Sequence, residues 1–151
     1  MEKLKDNFFP NYFSESVCNE ICKHGKGQNI LVYRVGKYGN NDKNAFLNYY
    51  EEVVEGLKVV RNKEKYLEKC RHDIDRLSVS CYENIEDIED YYKLTLKDTY
   101  PQRILLQGET QKEHGLSGRT KERKSSCVSS HVDWWLFDKA KPWIAFKEVE
   151  I

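Results

Sequence analysis

The sequence lacks the features that mark most membrane-bound and exported proteins. None of its apolar runs approaches the ~20 residues that a helix needs to cross a bilayer. Residues 1–13 contain no continuous apolar segment and no small-residue cleavage site, so they do not resemble a secretory signal. We therefore expect a cytoplasmic protein with no membrane partner, in which the five cysteines remain reduced thiols.

An excess of charge and the common nucleotide-binding motifs are also absent. Lysine and arginine together number 25, as do aspartate and glutamate, so net charge gives no reason to expect a nucleic-acid or membrane surface. The sequence contains no GxGxxG, no GxxxxGK[ST], no HExxH and no GxSxG. These absences disfavour a Rossmann or P-loop enzyme.

Aromatic residues, in contrast, are abundant. They make up 13% of the 151 residues, which is typical of a folded domain because disordered chains contain few aromatic residues. Residues 1–29 form an aromatic extension that we expect to pack on a single domain formed by residues 30–151. Within it, Ser14 is predicted to start a short helix through Cys22 that ends at Gly25.

The pattern of apolar residues predicts an α+β fold. Strands are predicted at 30–35, 76–82, 103–107, 131–137 and 143–149, and helices at 44–55, 63–70 and 84–99. Gly108 is expected to end the third strand, and residues 109–130 are expected to form a long polar surface loop. The last two strands are expected to form a hairpin through residues 138–142. This order of elements predicts a mainly antiparallel sheet with two or three helices.

Polar residues interrupt three of these strands. Arg34 shares a strand face with the apolar Ile30 and Val32. Two further strands also place polar side chains among apolar neighbours: Ser78 and Ser80 on one, His131 and Asp133 on the other. If the strands pair in one sheet, these side chains converge on one cleft. The alternative is that they form the solvent face of the sheet, with Arg34 paired to a carboxylate.

The two strands with Arg34 and the serines resemble the Arg–Ser–Glu class of ADP-ribosyltransferases. Tyr33-Arg34-Val35 is similar to the arginine strand of that family, and Leu77-Ser78-Val79-Ser80 is similar to its Ser-Thr-Ser strand. The resemblance extends from about Ile30 to Val149. The family has Glu-x-Glu where this chain has His131-Val132-Asp133. Another Glu-x-Glu, at 148–150, ends the sequence, and topology favours Asp133 as the family acid over Glu148.

The resemblance implies NAD as the substrate. Arg34 would hold its pyrophosphate or ribose, Ser78 would help to orient the nicotinamide ribose or the arginine, and Ser80 would be a further catalytic residue. Asp133 would stabilise the positive charge that develops at the anomeric carbon as nicotinamide departs. Substrate-binding roles would fall to His131, Tyr33 and Trp135.

Two functions from different classes follow. The first is an NAD-dependent ADP-ribosyltransferase or NAD glycohydrolase, of the kind found among bacterial toxins and phage-defence effectors. Its partners would be a target protein or nucleic acid and an antitoxin or other protein. The alternative is a non-catalytic α+β interaction module that binds a protein or nucleotide through its aromatic surface and residues 109–130.

Thiols and imidazoles form two short groups that raise the question of zinc. They are Cys18, Cys22, His24, Cys70 and His72. Their spacings are not those of common zinc sites, so buried free thiols are the default and no metal is predicted. Cysteine-protease chemistry, using Cys81 or Cys127 with His131, is disfavoured because nothing fixes the thiol opposite the imidazole.

Overall fold

The computed structural model describes residues 8–151, which contain six β-strands. They are β1 Leu31–Gly36, β2 Val79–Tyr82, β3 Ile104–Glu109, β4 Gly115–Arg119, β5 His131–Leu136 and β6 Phe146–Val149. All neighbouring strands are antiparallel, in the order β4-β5-β2-β1-β3-β6. The expected antiparallel α+β class is therefore confirmed.

Five α-helices lie within residues 8–151, more than the two or three expected. They are α1 Glu15–His24, α2 Tyr49–Val54, α3 Lys63–Arg71, α4 Ile85–Asp90 and α5 Thr120–Arg123. Short 3-10 turns cover Lys43–Phe46 and Pro142–Ala145, and a π-helical turn covers Tyr91–Thr95. No helix in residues 8–151 has the length and apolar character needed to span a membrane.

The sheet is weakest between its two central strands. Strands β1 and β2 are joined only by the Tyr33–Tyr82 pair, whereas β1 is paired with β3 along its whole length. Beyond that pair, β1 and β2 diverge and leave room for side chains between them. The sheet thus consists of two three-stranded halves, β4-β5-β2 and β1-β3-β6, that are paired only at Tyr33 and Tyr82.

Both faces of the sheet are covered. Trp134 lies in a cluster with Val32 and Phe46, whereas Trp135 lies in a separate cluster with residues of α1. Consecutive strand residues point to opposite faces, so the Trp134-Trp135 pair supplies a fully buried ring to each side of β5. A third cluster packs Ile88 of α4 against the end of β1 and against β3.

The predicted N-terminal helix is confirmed as α1. The Ser14 hydroxyl accepts a hydrogen bond from the Val17 amide, and the Gly25 amide caps the carboxyl end by donating to the Ile21 carbonyl. Val17 and Ile21, four residues apart, are fully buried on one helix face. The described part of the extension, residues 8–29, therefore contributes to the core.

Two sequence expectations about helices and loops were wrong. The predicted helix 44–55 is interrupted at Asn48, which caps α2 by accepting from the Glu51 amide while the Glu51 carboxylate accepts from the Asn48 amide. Residues 109–130 are not one long loop, because they contain β4 and α5. Glycine at 115 and 118 and polar residues at 117 and 119 hid β4 from propensity rules.

The expected terminal hairpin is also wrong. Strand β5 pairs with β4 and β2, whereas β6 pairs with β3 at the other edge of the sheet. Gly108 does not end β3; it lies within it, opposite Phe146. A Cβ at this position would lie 2.5 Å from the Phe146 ring, so glycine permits the close approach of β6.

Candidate functional site

A cavity of about 250 Å³ opens where β1 and β2 diverge, beside α2. Its charged and hydroxyl-bearing lining residues are Arg34, Lys37, Glu52, Ser78 and Ser80, and its aromatic lining residues are Tyr49, Tyr82 and Tyr91. We call this space the Arg34 cavity. The sequence-predicted arginine and both serines thus line one space.

Arg34 is held rigidly by backbone carbonyls. Its Nε donates to the Ala45 carbonyl at 2.7 Å, one Nη donates to the Ser80 carbonyl at 2.7 Å, and the other donates to Leu47 at 3.4 Å. Neutral acceptors leave the guanidinium charge uncompensated, and these bonds use three of its five N–H groups. The remaining N–H groups can serve an anionic ligand.

A cation and a carboxylate stand together in the same wall. Lys37 Nζ lies 3.3 Å from Oε2 of Glu52, and the Tyr38 hydroxyl donates to that oxygen at 2.9 Å. Burial, and then the bond to Glu52, raises the pKa of the Tyr38 phenol, which therefore remains a donor. The Glu52 carboxylate is only 6% exposed. It is consequently fixed in place.

Three phenol rings complete the cavity. Burial raises the pKa of Tyr82 and of Tyr91, so both remain neutral. Tyr49 is half exposed, at 46%. Aromatic rings beside two cations can accept a planar ring next to an anionic group.

Asp133 does not line the Arg34 cavity. Ser80 is paired with Asp133 and Tyr82 with His131, and Tyr33 is paired with Tyr82, so these residues share one sheet face. Arg34, one residue after Tyr33, alternates to the other face, and it meets Ser80 in the gap between β1 and β2, where it donates to the Ser80 carbonyl. Asp133 lines a separate depression with Arg123. The structure therefore does not bring the predicted arginine and acid into one pocket.

The Asp133 carboxylate is already fully engaged. It accepts from Ser78 Oγ at 3.2 Å, from Thr120 Oγ1 at 2.9 Å and from an Arg123 nitrogen at 2.8 Å. Its side chain is 3% exposed. In the described chain this carboxylate is thus buried and paired with Arg123.

The ion pair to Arg123 extends outwards to Asp75. Arg123 also donates to Asp75 at 2.6 Å, and Lys124 donates to the other Asp75 oxygen at 2.5 Å. Although burial opposes it, hydrogen bonds from Lys124 and Arg123 lower the pKa of Asp75. This network fastens α5 to the turn that precedes β2.

The three predicted substrate-binding residues also lie outside the Arg34 cavity. The Tyr33 hydroxyl accepts from Gln107 at 3.1 Å, and Trp135 is fully buried and donates from Nε1 to the Ile74 carbonyl at 2.8 Å. His131 Nδ1 lies 2.6 Å from the Thr120 hydroxyl. Burial lowers the pKa of His131, so it is neutral at pH 7. Each of these three side chains is therefore bonded to another residue of the folded chain.

The cysteines and histidines do not assemble into a metal site within residues 8–151, where no group of three potential ligands is found. Burial raises the pKa of Cys81 to about 12, and this fully buried thiol does not ionise at neutral pH. The five cysteines are free thiols.

Sequence reasoning missed Lys37, Glu52 and the tyrosine walls. Glu52 sits in an acidic pair within a short helix, a pattern that normally indicates a solvent-facing turn. Its burial arises only because the chain from 43 to 54 folds back over β1. Comparison of the chain with protein-family models, with curated proteins and with solved structures finds no match.

Proposed function

We propose that the Arg34 cavity binds NAD and that the chain cleaves its nicotinamide–ribose bond, as an ADP-ribosyltransferase or NAD glycohydrolase. One observation supports this above all others. Arg34, Lys37 and Glu52 line a single cavity with three tyrosine rings. The sequence resemblance to ADP-ribosyltransferases points to the same chemistry.

The two cations suit the pyrophosphate. A guanidinium fork matches phosphate oxygens, and Lys37 adds a charge beside it. A volume of about 250 Å³ is smaller than the usual space for a drug-sized ligand, so it would hold the nicotinamide ribose end of NAD. The adenosine end would extend outside. The tyrosine rings would provide a stacking surface for the nicotinamide.

Glu52 is the carboxylate that we assign to the reaction, in place of Asp133. As the glycosidic C–N bond breaks, its electron pair leaves with nicotinamide, and the ribose becomes an oxocarbenium ion. A fixed carboxylate stabilises that charge. Water, or a nucleophilic group of the target, then forms the new bond to the anomeric carbon and loses a proton. When phosphate attracts Lys37, the Glu52 carboxylate loses its counter-ion and becomes more available to the ribose.

The biological setting belongs to the same proposal. An enzyme that consumes NAD or modifies a protein or nucleic-acid target harms its host, as expected of a toxin or phage-defence effector. An antitoxin or other protein partner would then keep it inactive in the cytoplasm. Expression of the wild-type chain should accordingly slow growth, and Glu52→Gln should relieve the defect.

A second candidate is a nucleotide-binding module without turnover. The observation that favours it is the Lys37–Glu52 ion pair, at 3.3 Å, which occupies the only carboxylate that residues 8–151 contribute to the cavity. If the pair persists with ligand bound, the carboxylate is not free to stabilise the reacting ribose. Such a module would bind NAD or another nucleotide and release it unchanged.

Proton NMR of NAD incubated with the purified chain tests both candidates. The enzyme releases free nicotinamide, and Glu52→Gln abolishes the release while retaining NAD binding. Asp133→Asn, the matched variant outside the cavity, retains release wherever it remains folded. Binding without release supports the module. Absence of both binding and release contradicts both candidates.

A further inference from the structure

A second cavity, larger than the Arg34 cavity, borders it at Leu47, which lines both. Its volume is about 480 Å³, within the range of small-molecule pockets. It is bordered by residues 10–12, 43–51 and 77–79 and by the connection from β5 to the 3-10 turn at Pro142–Ala145. We call it the connection cavity, after residues 137–142.

Its walls are mainly apolar. Phe46, Leu77 and Val79 are buried side chains that line it, and Trp143 and Pro142 add a ring on the connection side. Apolar walls that remain open to solvent favour an apolar ligand, because its entry removes both surfaces from water. The rings favour a planar aromatic body.

A fixed polar group interrupts this apolar wall. Asn48 donates from Nδ2 to the Tyr12 hydroxyl at 3.0 Å, and the Tyr12 ring stacks on Tyr50 with centroids 3.8 Å apart. Burial raises the pKa of Tyr12 and of Glu51, which also lines the cavity. The neutral phenol of Tyr12 and amide of Asn48, set among apolar walls, can orient a ligand.

Three lysines, Lys43, Lys139 and Lys141, and two carboxylates, Glu51 and Asp138, line this cavity. Lys139 and Lys141 are exposed lining residues of the connection, and neither ammonium forms an ion pair with a carboxylate within residues 8–151. Lys139 is also the one non-glycine residue there with a positive φ, 65°. Such a backbone conformation is uncommon for a side chain of this size. An anionic group would compensate these two charges.

We propose that the connection cavity binds a small planar aromatic molecule carrying one anionic group, with Lys139 and Lys141 contacting the anion. This is a second site, independent of the NAD proposal. The aromatic body packs between Phe46, Trp143 and the aliphatic wall. The hydroxyl and amide of Tyr12 and Asn48 give one fixed polar contact.

Titration with 2-naphthoate, followed by saturation-transfer NMR, tests the site. For a ligand of this size we expect a dissociation constant on the order of 1 mM or tighter. The double variant K139Q/K141Q should weaken binding about fivefold, since each exposed ion pair contributes little. The matched control K63Q/K97Q, which removes two exposed lysines elsewhere, should leave affinity unchanged.

Additional variants and a neutral ligand distinguish binding at the connection cavity from binding at the Arg34 cavity and from nonspecific binding. Leu136→Trp, and independently Ala140→Trp, should block binding by filling the space, and a melting curve shows that each variant is folded. Neutral 2-naphthalenemethanol should bind the wild type more weakly than the acid. Glu52→Gln should bind 2-naphthoate as the wild type does. Absence of binding, equal loss in the lysine control, or unchanged binding in both folded tryptophan variants would overturn the proposal.

Discussion

Arg123 donates to Asp133 across 2.8 Å, and both side chains are almost inaccessible, at 9% and 3% exposure. The pair connects α5 to β5 beneath the Asp75–Lys124 contact at the surface. Asp133 is therefore the buried end of a network of ion pairs that reaches the surface at Asp75 and Lys124. Removing one member leaves the other as a buried charge without its counter-ion.

The first prediction concerns that network. Arg123→Ala should lower the free energy of unfolding by about 3 kcal/mol, because Asp133 remains buried without its cation. Urea denaturation provides the measurement. Arg61→Ala, at an exposed position, is the control and should change stability by less than about 0.5 kcal/mol. Equal losses of unfolding free energy for the two substitutions would show that the buried pair does not stabilise the fold.

The second prediction concerns pH. Burial lowers the pKa of His131 in the folded chain, so the unfolded chain takes up a proton first as the pH falls. Stability should therefore be fully present above the ordinary histidine pKa of about 6.5 and decrease as the pH falls towards the lower folded value. Measuring unfolding free energies between about pH 7.5 and about pH 5 should show this loss.

His131→Asn should flatten that pH profile. Burial also lowers the pKa of His114, so the slope that remains should decrease again in a variant that also carries His114→Gln. Val128→Ala, at a fully exposed position without an ionisable group, is the control and should leave the profile close to that of the wild type. A profile equally steep with and without His131 would contradict this assignment.

The third prediction concerns the edge of the sheet. Gly108→Ala places a Cβ 2.5 Å from the Phe146 ring and 2.6 Å from the Ala145 carbonyl, so β6 must shift. We expect a loss of about 1–3 kcal/mol, seen as a lower melting temperature. Glu148→Ala, exposed on the same edge strand, should have little effect. A melting temperature unchanged by Gly108→Ala would show that β6 moves without cost.

The fourth prediction concerns Arg34. Arg34→Lys cannot reproduce a planar group bonded to Ala45, Leu47 and Ser80, so the ends of β1 and β2 lose a link. Unfolding free energy should fall by about 2 kcal/mol, and NAD affinity should fall at least about tenfold. Denaturation and calorimetric titration measure the two effects separately. Lys37→Arg, which keeps the charge, should retain most of the affinity.

Local patterns in the sequence were sufficient for the elements with strong signals. The run at 30–35, the Ser14 cap and the alternation before Tyr82 all correspond to observed elements. These features depend on short-range physics.

The site depended on long-range geometry that local patterns do not contain. A single pair joins β1 to β2, and Arg34 reaches β2 only at the Ser80 carbonyl, whereas Asp133 lies one strand further away, on β5, and contacts Arg123. The burial of Glu52 similarly depends on how residues 43–54 return over the sheet. Neither the register nor that return path leaves a periodic signal in the sequence.

The most direct test of the central claim is to locate NAD on the chain. Amide chemical shifts of the Glu52→Gln variant, recorded with and without NAD, avoid turnover during the measurement. The account predicts that the largest changes cluster at residues 34–37, 47–52, 78–82 and 91, around the Arg34 cavity. Changes centred on Asp133 and α5, or no change at millimolar NAD, would contradict it.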